Sequence, residues 1–146
     1  MEGQRAAETF EKRRRGNAAA KDGFVKVLNL KDFGDRRIKA VPIDDKKFAI
    51  VINIGSMIFC CKSESTAYKF LLVDGELFSG PSGAAIRSPF DGSSYDLATG
   101  DVIEWGPQDT LPRKLLGKLK EKTTPMPLRV YPVEVNKEGD IFAVFD

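Results

Sequence analysis

Ser88-Pro89-Phe90-Asp91-Gly92-Ser93-Ser94-Tyr95-Asp96-Leu97-Ala98-Thr99-Gly100, with Trp105-Gly106-Pro107 close behind, is the stretch that decides the fold. Asp91-Gly92 marks one tight turn and Thr99-Gly100-Asp101 a second, because Asp closes a turn onto its own backbone and Gly adopts dihedrals that other residues resist. Phe90, Tyr95 and Leu97 make a short apolar ribbon between the turns. Ser88, Asp91, Ser93 and Ser94 are short hydrogen-bonding side chains suited to satisfying turn backbone groups, with Phe90 and Tyr95 expected to pack beneath them. Asp91 reads as an Asx-turn residue; its alternative role is a carboxylate that meets a partner.

Around this loop pair the chain is that of one soluble-type globular domain: 146 residues, 42% apolar and 30% charged, long enough to bury a core without disulfides or metal. No window approaches eighteen consecutive apolar residues, and the polar N-terminus has no apolar core of a secretory signal. The formal charge of +2 is unevenly spread, six Lys/Arg against four Asp/Glu in residues 1–22 and an even balance in the remainder. Histidine is absent, which removes imidazole acid–base catalysis, Ser-His and Cys-His nucleophile pairs and imidazole metal ligands together. The two cysteines, Cys60 and Cys61, are neighbours in an apolar run. On a strand they point to opposite faces and bridge only with distortion, so the chain reads as thiol-containing and suited to a reducing compartment such as cytosol or stroma. They are strand filler or, alternatively, a redox-sensing pair.

Residues 1–22, with the run Lys12-Arg13-Arg14-Arg15, lack a sustained apolar face and read as a flexible charged N-terminal arm. No aromatic residue interleaves the basic run, so nucleic acid is not an expected partner. Residues 24–30, 37–43, 47–54 and 57–61 have strand character and are joined by turn residues at Gly34-Asp35, Asp44-Asp45 and Gly55-Ser56, an antiparallel meander. Residues 48–54 are apolar on both faces for most of their length, as a central strand requires. Residues 74–83 are dense in turn formers, residues 84–87 form a short strand that delivers Ser88, and residues 101–105 form another. Residues 111–122 carry Leu111, Leu115, Leu116 and Leu119 on one helical face, with Arg113, Lys114, Lys118, Lys120 and Lys122 mainly on the other. Thr110 caps this helix, Pro112 sits in its first turn and Pro125 stops it. Residues 128–135 and 141–145 close the chain as a hairpin around a turn at 136–139.

The opening stretch resembles the second cluster-binding loop of Rieske iron–sulfur domains, Cys-Pro-x-His-Gly, two variable residues, an aromatic, Asp, then x-x-Thr-Gly. Pro89, Gly92, Tyr95, Asp96, Thr99 and Gly100 match that frame, while Ser88 stands at the cysteine position and Asp91 at the histidine position. The family's first loop, Cys-x-His, finds its counterpart in Ser65-Thr66-Ala67, at a spacing to Ser88 several residues longer than usual. The resemblance covers residues 24–107 and 126–145. It implies a mostly β, Rieske-like (ISP-type) antiparallel sandwich or barrel over residues 23–146, with a small cluster-loop subdomain and one inserted basic helix. A Rieske centre needs two thiolates and two imidazoles. Ser65, Ala67, Ser88 and Asp91 are therefore degenerate ligand positions, and no metal, cofactor or catalytic residue is expected.

What remains is a non-catalytic interaction or assembly module. The ligandless loop, the Arg-rich lead-in and the basic insertion are similar to Rieske-like proteins of plant thylakoids. That likeness implies chloroplast location, a soluble, stromal domain at the thylakoid membrane, and photosystem II or antenna components as partners. Arg113, Lys114, Lys118, Lys120 and Lys122 are the expected docking cations, for an acidic protein surface or an anionic membrane surface. The rival readings are a ligandless accessory subunit of a reductase, similar to nitrite reductase small subunits, and a redox sensor built on Cys60 and Cys61. The ligand count predicts a colourless, iron-free protein that folds without metal; stoichiometric iron with a [2Fe–2S] absorption band after anaerobic purification would contradict it.

Overall fold

Alternating apolar residues and short Gly- or Asp-bearing connections turn most of this chain into antiparallel strands, which the computed structural model describes over residues 23–55, 57–67, 69–107, 113 and 125–145. In chain order these are β1 (Val25–Asn29), β2 (Ile38–Pro42), β3 (Phe48–Ile54), β4 (Met57–Lys62), β5 (Glu76–Gly80), β6 (Gly83–Arg87), β7 (Ser94–Asp96), β8 (Val102–Glu104), β9 (Val130–Tyr131), β10 (Val133–Val135) and β11 (Asp140–Ala143). They form three sheets, ordered β1-β11-β10, β2-β3-β4-β9 and β5-β6-β7-β8. The described residues fall into two compact units, one within Met1–Cys60 and Tyr131–Asp146, the other within Cys61–Val130. The expected N-terminal arm, residues 1–22, and the expected helix, residues 111–122, lie outside the described residues except for Arg113.

In the first unit β3 is an interior strand, and Ala49, Ile50, Val51 and Ile52 are all fully buried, as a run apolar on both faces demands. Burying each of the larger side chains contributes about 1.5–3 kcal/mol. β1 pairs with β11 through a register shift between Lys26 and Leu28. The extra residue lets Val27 and Leu28 both turn inward to join Val25, Phe33, Val41, Ala49, Val51, Cys60, Ile141 and Ala143 in one core. Asn29 ends β1 and caps the short 3-10 turn Leu30–Phe33: its side chain accepts from Lys31 N at 2.9 Å, and its own N donates to Asp32 at 2.8 Å. The closing strand expected over residues 128–135 is divided into β9 and β10 at Pro132, which has no N–H to give a ladder.

The second unit is built on the sheet β5-β6-β7-β8, with Leu72, Ala85, Ile86, Tyr95, Leu97 and Leu128 buried. β5 was not expected, since Glu76–Gly80 lies among turn formers; it pairs with β6 across the two-residue tip Pro81-Ser82, with Gly80 opposite Gly83.

The Asp-x-x-Thr-Gly part of the opening stretch is a self-contained turn. One carboxylate oxygen of Asp96 accepts from Ala98 N (3.1 Å), Thr99 N (2.9 Å) and Thr99 Oγ1 (3.0 Å), and Gly100 N donates to Asp96 O at 2.7 Å. Gly100 has φ 83°, and a Cβ added there would stand 1.9 Å from the carbonyl oxygen of Leu128, whose N donates to Gly100 O at 2.8 Å. Gly100→Ala combines left-handed strain with a backbone clash and should lower the unfolding free energy by about 2–4 kcal/mol. Gly34→Ala, at φ 56° with nothing within 4 Å, should cost only about 1–2 kcal/mol. Urea denaturation of the two variants measures the difference.

Candidate functional site

Two loops of the second unit meet where the sequence places its four degenerate positions. The first, residues 63–72, closes on itself: Ser65 N donates to Phe70 O (2.8 Å), Lys69 N to Ser65 O (3.0 Å) and Leu72 N to Ser63 O (2.8 Å). The reversal is completed by Lys69, at φ 60° the one described non-glycine residue with positive φ. The second loop, residues 88–93, is held by Ser88 N to Ser93 O (2.9 Å), Gly92 N to Ser88 O (3.0 Å) and Gly106 N to Ser93 Oγ (2.8 Å).

The buried Asp91 carboxylate joins them. Its Oδ1 accepts from Ser93 N at 2.7 Å, the expected Asx-turn, and its Oδ2 accepts from Ser65 Oγ at 3.1 Å across the loops. A second tie runs through Tyr95, whose hydroxyl accepts from Thr66 N at 3.0 Å and lies 3.0 Å from Thr66 Oγ1. Thr66 Oγ1 donates to Met126 O at 2.6 Å, so its single proton is engaged and Tyr95 is the donor in the remaining bond. Outside these ties the rings of Phe70 and Phe90 touch, centroids 5.2 Å apart and tilted by 38°.

The structure thus brings Ser65 and Asp91 into direct contact and buries Ala67 and Ser88 with them; the Ser88 hydroxyl has no hydrogen-bond partner among the described residues. Asp91 is inside the protein, so it is not a carboxylate that meets a partner. Phe90, expected beneath the loop, is 66% exposed. A [2Fe–2S] cluster does not fit this site. Two hydroxyls, a methyl and a carboxylate with both oxygens already accepting hydrogen bonds supply neither the thiolates nor the imidazoles of a Rieske centre. Among the described residues no three His, Cys, Asp or Glu side chains gather as a metal site.

Of the expected docking cations, Arg113 lies against the second loop. Its Nη2 donates to Pro89 O at 3.1 Å and its Nε reaches Phe90 O at 3.4 Å. A Cβ on Gly92, at φ 77°, would come within 2.9 Å of that guanidinium and 2.8 Å of the Pro107 ring. Arg113 therefore covers the loop backbone, an attachment that amphipathic periodicity did not disclose. Lys114, Lys118, Lys120 and Lys122 lie outside the described residues. Cys60 and Cys61 are buried thiols outside any disulfide, and desolvation pushes the Cys60 thiol from its ordinary 9.0 up to about 12. A thiol so placed is not the accessible, acidic group a redox sensor needs. Lys69 and Met126 went unread in the sequence; the only signal was the motif around them, since a lysine in left-handed conformation has no sequence mark.

With that geometry in view, the fold defines a Rieske-type domain. A family model for the Rieske-like [2Fe–2S] domain matches residues 23–143, and the chain belongs to that family. Among solved structures it is similar to a chain of the complex of reduced oxygenase and oxidized ferredoxin in carbazole 1,9a-dioxygenase, with 20% identity over 85% of this chain and 94% of that one and a TM-score of 0.60. It is also similar to the Sphingomonas yanoikuyae B1 ferredoxin (20% identity, 84% and 98% covered, TM-score 0.59). A third is the NADH-dependent nitrite reductase small subunit from Mycobacterium tuberculosis (16% identity, 84% and 95% covered, TM-score 0.62). At these identities the likeness carries the fold alone. No curated protein sequence matches the chain.

Burial also sets an alkaline limit. Desolvation raises the Tyr95 phenol above its ordinary 10.0, outweighing the opposing Thr66 hydrogen bonds. Both Tyr95 and Cys60 thus have folded values above their unfolded ones, so each contributes fully below its unfolded value and less as pH rises above it, Cys60 losing its share toward about 12. Urea midpoints should decline over that window, and Cys60→Ala should make the decline shallower while leaving the acid side unchanged in shape. Neither thiol should react with a thiol reagent faster than the chain unfolds.

Proposed function

We propose that this chain is a non-catalytic Rieske-like interaction module, the soluble part of a chloroplast thylakoid protein that supports photosystem II or its antenna from the stromal side. The observation that carries the reading is the buried hydrogen-bonded tie at the ligand site: Asp91 and Ser65 connect the two loops at 3.1 Å, and none of the four positions carries a thiolate or an imidazole. A domain that keeps this scaffold without its redox chemistry retains surface as its means of action. The family resemblance of the ligandless loop, with its Arg-rich lead-in and basic insertion, favours the thylakoid setting. A Rieske ferredoxin has been seen in a complex with its oxygenase, which makes a protein partner the natural one. Among the described residues no helix is long and apolar enough to cross a membrane. The fold shared with a nitrite reductase small subunit supports the second reading, an accessory subunit that supplies no catalytic residue.

The full chain, incubated with thylakoid membranes at low ionic strength and then detergent-solubilised, should co-migrate with photosystem II or antenna complexes. Lys114→Glu, Lys118→Glu and Lys122→Glu together should weaken that association while leaving the melting temperature nearly unchanged, because the sequence puts these lysines on the polar side of the expected helix, and solvated charges of that kind add little to folding but act over a Debye length of about 10 Å at 0.1 M salt. Co-migration with a soluble haem or flavin reductase instead would favour the second reading.

A further inference from the structure

β2 is the end strand of its sheet, and among the described residues no strand lies along its outer side. The ladder to β3 fixes which backbone groups face that side. Asn53 N donates to Arg37 O at 2.7 Å and Ile43 N to Lys47 O at 2.8 Å, while Lys39 stands opposite Val51 and Val41 opposite Ala49. Hydrogen-bonded positions in an antiparallel pair recur at every second residue, so Arg37, Lys39, Val41 and Ile43 bond inward to β3. Ile38, Ala40 and Pro42 therefore turn their backbone groups outward, and Pro42, with no N–H to give, fits that parity. Arg36 Nε reaches the Ile38 carbonyl at 3.4 Å. Ala40 is exposed, with N–H and C=O both directed outward and only a methyl beside them.

Side chains alternate between the faces of a strand, which puts Arg37 and Lys39 on one side of β2 and Ile38 and Ala40 on the other. Arg37 and Lys39 are exposed, and neither side chain has an acidic partner among the described residues. Residues 35–39 set Asp35 against Arg36, Arg37 and Lys39. In the turn beyond the strand Asp44 and Asp45 are balanced by Lys46 and Lys47, and the Asp44 carboxylate is engaged there, accepting from Lys46 N at 2.8 Å and Lys47 N at 2.9 Å.

We propose that the outer edge of β2 receives an extended segment of a partner protein as an added antiparallel strand, with carboxylates opposite Arg37 and Lys39 and apolar side chains opposite Ile38 and Ala40. This rests on the interaction-module reading and gives its partner a chemistry. Charges and proline on an edge strand guard against unwanted pairing, and here the guard is selective. A second copy laid antiparallel about Lys39 would set like charges against each other, whereas carboxylates at those positions form opposite-charge cross-strand pairs. An anionic bilayer would meet the charge but offer no ladder to the outward N–H and C=O of Ala40. Main-chain bonds thus hold the segment and the alternation selects it.

The test uses the full chain and synthetic peptides in which Glu alternates with Val. The plain peptide should shift the NMR amide signals of Ile38 and Ala40 and slow their exchange with solvent. N-methylation of the Val residues, which face the ladder in this register, should weaken binding by about tenfold or more, while N-methylation of the Glu residues should leave it within about twofold. Arg37→Glu with Lys39→Glu should keep the melting temperature nearly unchanged, weaken the Glu-Val peptide by about tenfold at low salt and transfer the preference to a Lys-Val peptide. Equal binding of the Val-methylated and plain peptides, no transfer of preference, or shifts confined to other residues would each overturn the proposal. So would protection of Ile38 and Ala40 by phosphatidylglycerol vesicles in place of the peptide, or concentration-dependent protection without peptide. If the peptide arm fails while thylakoid complexes still retain the chain, the β2 proposal falls and the interaction-module reading stands; failure of both removes the reading as well.

Discussion

The hydrogen bond from Ser65 Oγ to the buried Asp91 carboxylate is the constraint on which the second unit depends. Two loops far apart in sequence must be held together around a polar interior, and in a Rieske centre metal–ligand bonds from both loops do this. Here one carboxylate does it, accepting from Ser93 N in its own loop and from Ser65 in the other. A hydrogen bond to a charged group contributes about 1.5–3 kcal/mol, and more is lost if one partner is removed and the other stays buried. The tie is thus weaker than a cluster but sufficient when other contacts share the task. Tyr95 with Thr66, Thr66 with Met126, Phe70 with Phe90 and Arg113 with Pro89 are those contacts.

This arrangement separates two roles that a cluster-binding loop combines. The Asp-x-x-Thr-Gly turn and the glycine at position 100 answer to backbone geometry alone: Asp96 satisfies turn donors, and Gly100 lets the backbone of Leu128 approach. The ligand positions answer to chemistry: Ser65 and Asp91 satisfy one another, Ala67 fills space with a methyl, and the Ser88 hydroxyl is buried without a partner among the described residues.

Much of the fold could be read from the sequence because strand periodicity and turn residues are local signals. β1 to β4 follow from alternation broken by Asp44-Asp45 and Gly55, and β3 is interior because residues 49–52 are apolar on both faces. β5 was hidden because Gly, Pro and Ser crowd its ends, and its strand conformation is imposed by pairing with β6. The division between β9 and β10 is the missing donor of Pro132. In the site, the Asx-turn of Asp91 was legible because it involves only the next two residues. Its contact with Ser65 spans 26 positions, and the family frame alone placed the two together. The exposure of Phe90, the left-handed Lys69 and the latch of Arg113 arise from the closed loops as a whole, which no periodicity encodes.

A double-mutant cycle on Ser65 and Asp91 tests the central claim most directly, with Ser65→Ala, Asp91→Ala and the double variant compared by urea denaturation of the intact chain. If the cross-loop hydrogen bond is the tie, the two substitutions are coupled by about 1.5–3 kcal/mol, the double variant being far less destabilised than the sum of the singles. Additivity within about 0.5 kcal/mol would show that the loops are held independently of this bond and would contradict the account.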